Sequence, residues 1–291
     1  MSVNIEENIK AFEQELIEEE KKEKTIKQYL KYIYEFIEYT KIEKAEDITK
    51  EMLIDYKEHL KEIHPKESSI NIKIIIINKF VTFMDLPNKL KLKQIKVQKK
   101  TTLENVLNEK EYNRLLEWAL KLNRPRMYYL METLAGTGIR ISELEYITVE
   151  AVKKGNADFY NKGKKRPVPI KNSLQKDLKR YCEEANITEG IIFKSRQGNP
   201  LDDSYVWRQL QDIAGKARGG LSKDKVHAHS FRHLFAKDFL ANGGDLATLA
   251  DILGHSSLET TRIYTTMSIA EQRALLNKMD KRKKQRNLVN V

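Results

Sequence analysis

Apolar positions recur along the first part of this chain at helical spacing. Ile26, Leu30, Ile33, Phe36 and Ile37 fall on one helical face, and Thr25 with Gln28 three positions on predicts a capping box at its start. Thr49 predicts the cap of another helix that turns Met52, Leu53, Tyr56 and Leu60 inward and ends before His64-Pro65. Residues 69–84 admit two patterns. Ile70, Ile72, Ile74 and Ile76 alternate as in a strand, while Ile70, Ile74, Ile77, Val81 and Met84 fit a helix; the run exceeds a usual strand, which favours the helix. After Pro87 the pattern breaks into NKLKLKQIKVQKK, with six lysines and no acid. This reads as a basic linker over 88–102, joining a helical domain over 1–87 to a second domain over 103–291.

In the second domain Asn108 and Glu111 predict a capping box that opens a helix from Glu109 to Leu120. A helix from about Arg126 to Ala135 stops at Gly136. Over 156–170 the period shortens: ADFY and RPVPI flank NKGKK, which predicts a β-hairpin with Lys162, Lys164 and Lys165 at its tip. Helical patterns return near 173–185, 203–216, 245–253, 257–263 and 268–279. The expected fold class is mainly α with a small β-hairpin, an α+β arrangement in two domains.

Charge separates the two parts. The chain carries +11 overall. Residues 1–87 hold 14 Lys and Arg against 19 Asp and Glu, leaving 39 against 23, a balance of +16, for the remainder. A concentrated positive field is what a nucleic-acid binder uses to displace counterions from phosphates, although lysine-rich chains without such a role carry it too. The longest apolar run, Ile74 to Ile77, is far too short to span a bilayer, and the N-terminus lacks the pattern of a secretory signal. A cytoplasmic, nucleoid-associated protein is expected. The lone cysteine, Cys182, excludes an intramolecular disulfide and a cysteine-rich zinc site.

Candidate chemistry gathers in the C-terminal third. His229 and Arg232 lie three apart, a spacing that shares a helical face. His255 follows Gly254 and is expected at a helix N-terminus, where amides face an anion; Tyr264 comes nine residues later. Earlier, GTGIRISELEYI places Arg140 at a glycine turn among the first amides of a helix, with Glu143 in reach. Two histidines, two arginines and a tyrosine compose a phosphate site. His227, His229 and His233 also spell H-x-H-x3-H, a metal pattern with His255 as a fourth ligand. That reading leaves Arg232 as a cation beside a cation and interleaves no carboxylate or cysteine, so the phosphate reading is preferred and His227 and His233 fall outside the active set.

Together, TGIR, the lysine hairpin, HxxR, LGH and the tyrosine nine residues after that histidine resemble the tyrosine recombinase family of phage integrases and Xer proteins. The resemblance covers the whole chain and implies a helical core-binding domain followed by a catalytic domain, without a separate arm-binding domain. It implies that Arg140 and Arg232 fork onto the non-bridging oxygens of a scissile phosphate, and that Glu143 orients Arg140. Lys162 would protonate the leaving 5′ oxygen, with Lys164 as the alternative because NKG replaces the more usual GKG. His229 would assist proton transfer from the tyrosine, His255 would hydrogen-bond the phosphate, and Tyr264 would be the nucleophile of a 3′-phosphotyrosyl link. Lys89, Lys91, Lys93, Lys96, Lys99, Lys100, Lys164 and Lys165 are the expected DNA-backbone contacts. The implied partners are double-stranded DNA with an inverted-repeat site and a homotetramer on that DNA, coupled by the helix over 268–279; no cofactor or metal is expected. A type IB topoisomerase-like activity and a non-catalytic DNA-binding relative are the alternatives.

Overall fold

The structure is a computed structural model that describes residues 4–97, 106–161, 164–217, 221–255, 257–265, 273, 276 and 277. Lys99, Lys100, Lys162 and most of 268–279 lie outside the described residues, as does the side chain of Lys164. Two compact units form, Met1–Lys99 and Lys100–Val291.

The first unit is built from α1 (Ile5–Glu18), α2 (Glu23–Thr40), α3 (Lys50–Ile63) and α4 (Glu67–Phe83). Phe12, Phe36, Tyr56 and Phe80 fill its centre, with the Phe12 and Phe80 rings 5.3 Å apart. Thr49 caps α3 as expected, accepting from the Met52 amide. The Thr25–Gln28 box does not form. Glu23 and Lys24 continue the helix N-terminally, so Thr25 lies inside its first turn, and the Gln28 amide reaches Tyr32 instead. The ambiguous isoleucine run is helical: Ile70, Ile74, Ile76 and Ile77 are buried, while Ile72 and Ile75 remain exposed.

The stretch expected as a linker is, over residues 88–97, a strap laid along this unit. Leu90 and Leu92 are buried and Ile95 packs against the same core. Asn78 on α4 pairs with the backbone of Leu92 in both directions, at 2.9 and 2.8 Å, and Asn71 does the same with Ile95, both bonds at 2.8 Å. The spacing explains the match. Seven helical residues rise roughly 10.5 Å, and three extended residues span about 10 Å, so two carboxamides on one helical face meet peptide groups three residues apart on the strap. Lys50 and Lys57 on α3 donate to the carbonyls of Leu90, Lys91 and Lys93. Lys89, Lys93 and Lys96 are left exposed and Lys91 is half-buried.

In the second unit α5 (Glu109–Lys121) opens on the Asn108–Glu111 capping box, formed at 2.9 Å in both directions. Helix α6 (Pro125–Thr137) is almost wholly interior; its buried Thr133 and Thr137 return their hydroxyls to the carbonyls four residues back. After a 3-10 turn over Ile141–Tyr146 and α7 (Val149–Lys154), strands β1 (Asn156–Asn161) and β2 (Lys164–Pro169) pair antiparallel, with Phe159 opposite Arg166. Helices α8 (Asn172–Glu184), α9 (Asp203–Lys216), α10 (Ala228–Ala241), α11 (Leu246–Leu253) and α12 (Leu258–Thr261) complete the unit, and α10 packs on α6. Tyr264 lies in a 3-10 turn, Arg262–Thr265, that continues α12. Among the described residues no helix is long and apolar enough to cross a membrane.

Replacing Asn78 with Ala removes both partners of the Leu92 peptide group at a cost of about 1–3 kcal/mol. Hydrogen exchange at the Leu92 amide should accelerate by about tenfold or more, with a smaller effect at Ile95. Unchanged exchange at Leu92 would show that the carboxamide does not hold the strap.

Candidate active site

Two helix ends create the site. Helices α6 and α11 each stop at a glycine in the left-handed region, Gly138 at φ 65° and Gly254 at φ 64°. Space reinforces the choice at Gly254, where a Cβ would stand 2.7 Å from a guanidinium nitrogen of Arg166. Carbonyls at a helix C-terminus lack intrahelical donors and carry the negative end of the helix dipole. Three arginines take them up. Arg232, only 2% exposed, donates to Gly138 O at 2.7 Å and to Leu253 O at 2.6 Å. Arg166 donates to Ile252 O at 2.7 Å, and Arg140 reaches Leu253 O and Gly254 O at 3.4 Å.

Glu143 ties two of these cations together. Its Oε1 accepts from Arg140 at 3.2 Å and from Arg166 at 2.7 Å, and its Oε2 takes the Arg140 amide at 2.8 Å. Arg140 and Arg166 share this carboxylate and Arg232 pairs with none among the described residues, so three guanidiniums stand against one acid and the cluster is left two positive charges in excess. Burial, followed by repulsion from Arg140, pulls Arg232 down to about 10, still protonated at neutral pH. An incompletely compensated cationic cluster is a preorganised anion site, and the planar forks suit phosphate oxygens.

The imidazoles and the phenol are arranged around Arg232. Its Nη2 lies 2.9 Å from His255 Nε2. Because a guanidinium only donates, Nε2 accepts, and Nδ1 carries the proton toward the buried Thr261 hydroxyl at 2.8 Å. His255 is therefore neutral, pushed down to about 4 by burial and then by Arg232 and Arg140. The Tyr264 hydroxyl lies 3.0 Å from Nδ1 of His233. Burial raises this phenol, while the nearby positive charges of Arg232 and Arg140 act the other way. His229 is exposed on α10, its ring 5.9 Å from that of His233.

Residues 105–271 match the model of the phage integrase family, and residues 9–85 match that of the phage integrase N-terminal SAM-like domain. The chain belongs to the phage integrase family. It is 33% identical over 192 residues to the tyrosine recombinase XerD of Staphylococcus aureus, covering 62% of this chain and 64% of that protein. The match thus spans less than two thirds of that relative's length. To the tyrosine recombinase XerC of Pediococcus pentosaceus it is 29% identical over 285 residues, 88% of this chain and 92% of that protein. A crystal structure of a lambda integrase tetramer bound to a Holliday junction shares the fold, with a TM-score of 0.74 at 19% identity over 89% of this chain and 77% of that one.

In this integrase-family unit Arg140, Glu143, Arg232, His255 and Tyr264 are brought together as the sequence suggested. Their electrostatic setting differs from the one expected. Arg140 does cap the start of the 3-10 turn over Ile141–Tyr146, but its side chain, like the ring of His255, lies beside the carbonyl end of α11, because Gly254 ends that helix and the next begins only at Leu258. Carbonyls there attract and hold cations, which then present their free edges to an anion. Lys165 pairs with Asp158 at 3.0 Å on the hairpin. Among the described residues, no three His, Cys, Asp or Glu side chains group to hold a metal ion.

Sequence reasoning missed Arg166, Thr261 and His233. Arg166 had a signal: it shares strand parity with Val168 and Ile170, which face the core, so it points inward too. It lies over the Phe159 ring at 4.9 Å. His233 is four residues from His229 on the same helical face, a spacing that the metal pattern H-x-H-x3-H also contains.

Neutral His233 and His255 give the unit a defined acid response. Both are held down to about 4, against 6.5 for an unperturbed imidazole. Below about pH 6.5 the unfolded chain takes up protons that the folded one refuses. Stability is therefore full at neutral pH and is lost as pH falls toward 4. Urea unfolding followed by Trp118 and Trp207, both in this unit, should show uptake of roughly two protons or more on unfolding near pH 5. A flat profile from pH 7 to 5 would contradict it.

Proposed function

We propose that this chain is a site-specific DNA recombinase that cleaves and rejoins strands through a 3′-phosphotyrosyl intermediate at Tyr264. The observation that carries this reading is the Tyr264 hydroxyl set in the field of a buried, carbonyl-anchored Arg232, within a cluster where Arg140 and Arg166 share one carboxylate. A phenol is a weak nucleophile at its ordinary pKa and needs a cationic field; the same field offsets charge growing on the phosphorane.

In this mechanism Arg140 and Arg232 bind the non-bridging oxygens of the scissile phosphate, and Glu143 fixes Arg140 while Arg166 braces Glu143. Tyr264 attacks phosphorus as the 5′ oxygen leaves and takes a proton from Lys162, or from Lys164 in its place. His255 aligns Arg232 and turns to the phosphate as DNA enters, and His229 stands at the open edge of the site to assist proton transfer. The phosphotyrosyl bond keeps the energy of the cleaved diester, so rejoining is the reverse attack by a 5′ hydroxyl and draws on neither ATP nor a metal.

The helical part of the first unit, over 1–87, serves as the core-binding domain. The strap presents Lys89, Lys91, Lys93 and Lys96 to the DNA backbone, continued by Lys99 and Lys100, with Lys164 and Lys165 on the hairpin of the catalytic domain over 103–291. The site is an inverted repeat bound by a homotetramer, with the helix over 268–279 linking protomers. The protein works on the nucleoid in the cytoplasm.

A nicked duplex carrying the cognate inverted repeats should trap the wild type covalently, and Tyr264→Phe should form no adduct; undiminished trapping by that variant would sink the assignment. Lys162→Ala should slow cleavage by roughly 10²–10⁴-fold and recover on a 5′-phosphorothiolate, whose leaving group needs no proton. Recovery confined to Lys164→Ala would move the role to that lysine.

A further inference from the structure

We infer that His233 is the positioning residue that orients the Tyr264 hydroxyl for attack, a role that rests on Tyr264 being the nucleophile. The ring of Tyr264 is fixed by packing. It lies against a small apolar cluster of Ala236, Leu249 and Leu253 with Phe235, Phe239 and Leu240, so what stays free is the rotation of one O–H bond. A phenolic hydroxyl has one proton to give and lone pairs to receive. The positive charge of Arg232 nearby favours the oxygen's lone pairs on its side and its proton on the other. His233 Nδ1, 3.0 Å away with its ring centroid 5.4 Å from that of the tyrosine, is the acceptor for the proton.

The neutral state this needs is secured by the surroundings. The His233 imidazole is half-buried, and burial first, then its neighbours His229, His227, Arg232 and Lys237, disfavour a charged ring and hold it down to about 4. At neutral pH its Nδ1 lone pair is available. With the proton committed to His233, the lone pairs of the oxygen are free for phosphorus. Without His233 the O–H bond turns to the richest acceptor present, a non-bridging oxygen of the bound phosphate. There the proton stands between the nucleophile and its target. His229 is exposed and 5.9 Å from His233 ring to ring, one helical turn nearer the start of α10.

The test is single-turnover adduct formation on the nicked duplex, with DNA affinity measured alongside at fixed salt. His233→Leu fills the space without an acceptor and should slow adduct formation by about tenfold or more, the weight of one hydrogen bond, with affinity unchanged. His233→Asn places an amide oxygen where Nδ1 stood and should restore the rate to within a few-fold of wild type. His233→Ala, which leaves space instead of filling it, should match His233→Leu and carries the comparison if the leucine lowers the unfolding midpoint. Wild-type rates in both His233→Leu and His233→Ala overturn the inference. So does an asparagine variant as slow as leucine, since hydrogen-bond acceptance would then not be what the position supplies. Failure of the nucleophile assignment looks different: no adduct in the wild type, or adduct persisting in Tyr264→Phe.

Discussion

Arg232 is the group on which the rest of the catalytic unit depends. A guanidinium with 2% exposure must have its donors met, and here they are met by carbonyls at the ends of two helices and by one imidazole, not by a carboxylate. That choice has two effects. It joins α6, α10 and α11 at one point, so the positions of Gly138, Leu253 and His255 are set together. It also leaves the formal charge intact. A carboxylate partner would have neutralised it, whereas helix-end dipoles offset desolvation while the cation stays able to bind an anion.

Compensation is graded outward from that point. Arg166, largely buried, and Arg140, more open to solvent, share Glu143, so the second and third cations are held by one acid that also fixes the Arg140 backbone. The neutral histidines complete the pattern. His255 and His233 sit where protonation would add charge to a cluster already in excess, and each is pinned as an acceptor, one for Arg232 and one for Tyr264. The acid sensitivity of the unit and the orientation of its phenol are thus two consequences of the same crowding of positive charge.

Much of this was legible from spacing. Helical periodicity located the elements, the Asn108–Glu111 box fixed a helix start, and separated motifs named Arg140, Arg232, His255 and Tyr264. What escaped depended on partners distant in sequence. The Thr25–Gln28 box obeyed the local rule, yet the helix began earlier, at Glu23. Arg166 reads as one more basic residue of a lysine-rich hairpin until the register opposes it to Phe159 and brings Glu143 within reach. His233 is distinguishable from His227 only once the turn holding Tyr264 folds back onto α10. The lysine-rich stretch after Pro87 has the composition of a tether, and only the repeat of Asn71 and Asn78 along α4 shows that its backbone is grasped.

That grasp has a consequence for how the surface can change. Asn71, Asn78, Lys50 and Lys57 bind peptide groups, which every residue supplies alike, and only Leu90, Leu92 and Ile95 commit side chains to the core. The outward positions are thereby uncoupled from attachment. Substitutions at Lys89, Lys93 or Lys96 alter what the strap offers to a partner without loosening how it is held, so its surface chemistry can diverge rapidly on an unchanging mount.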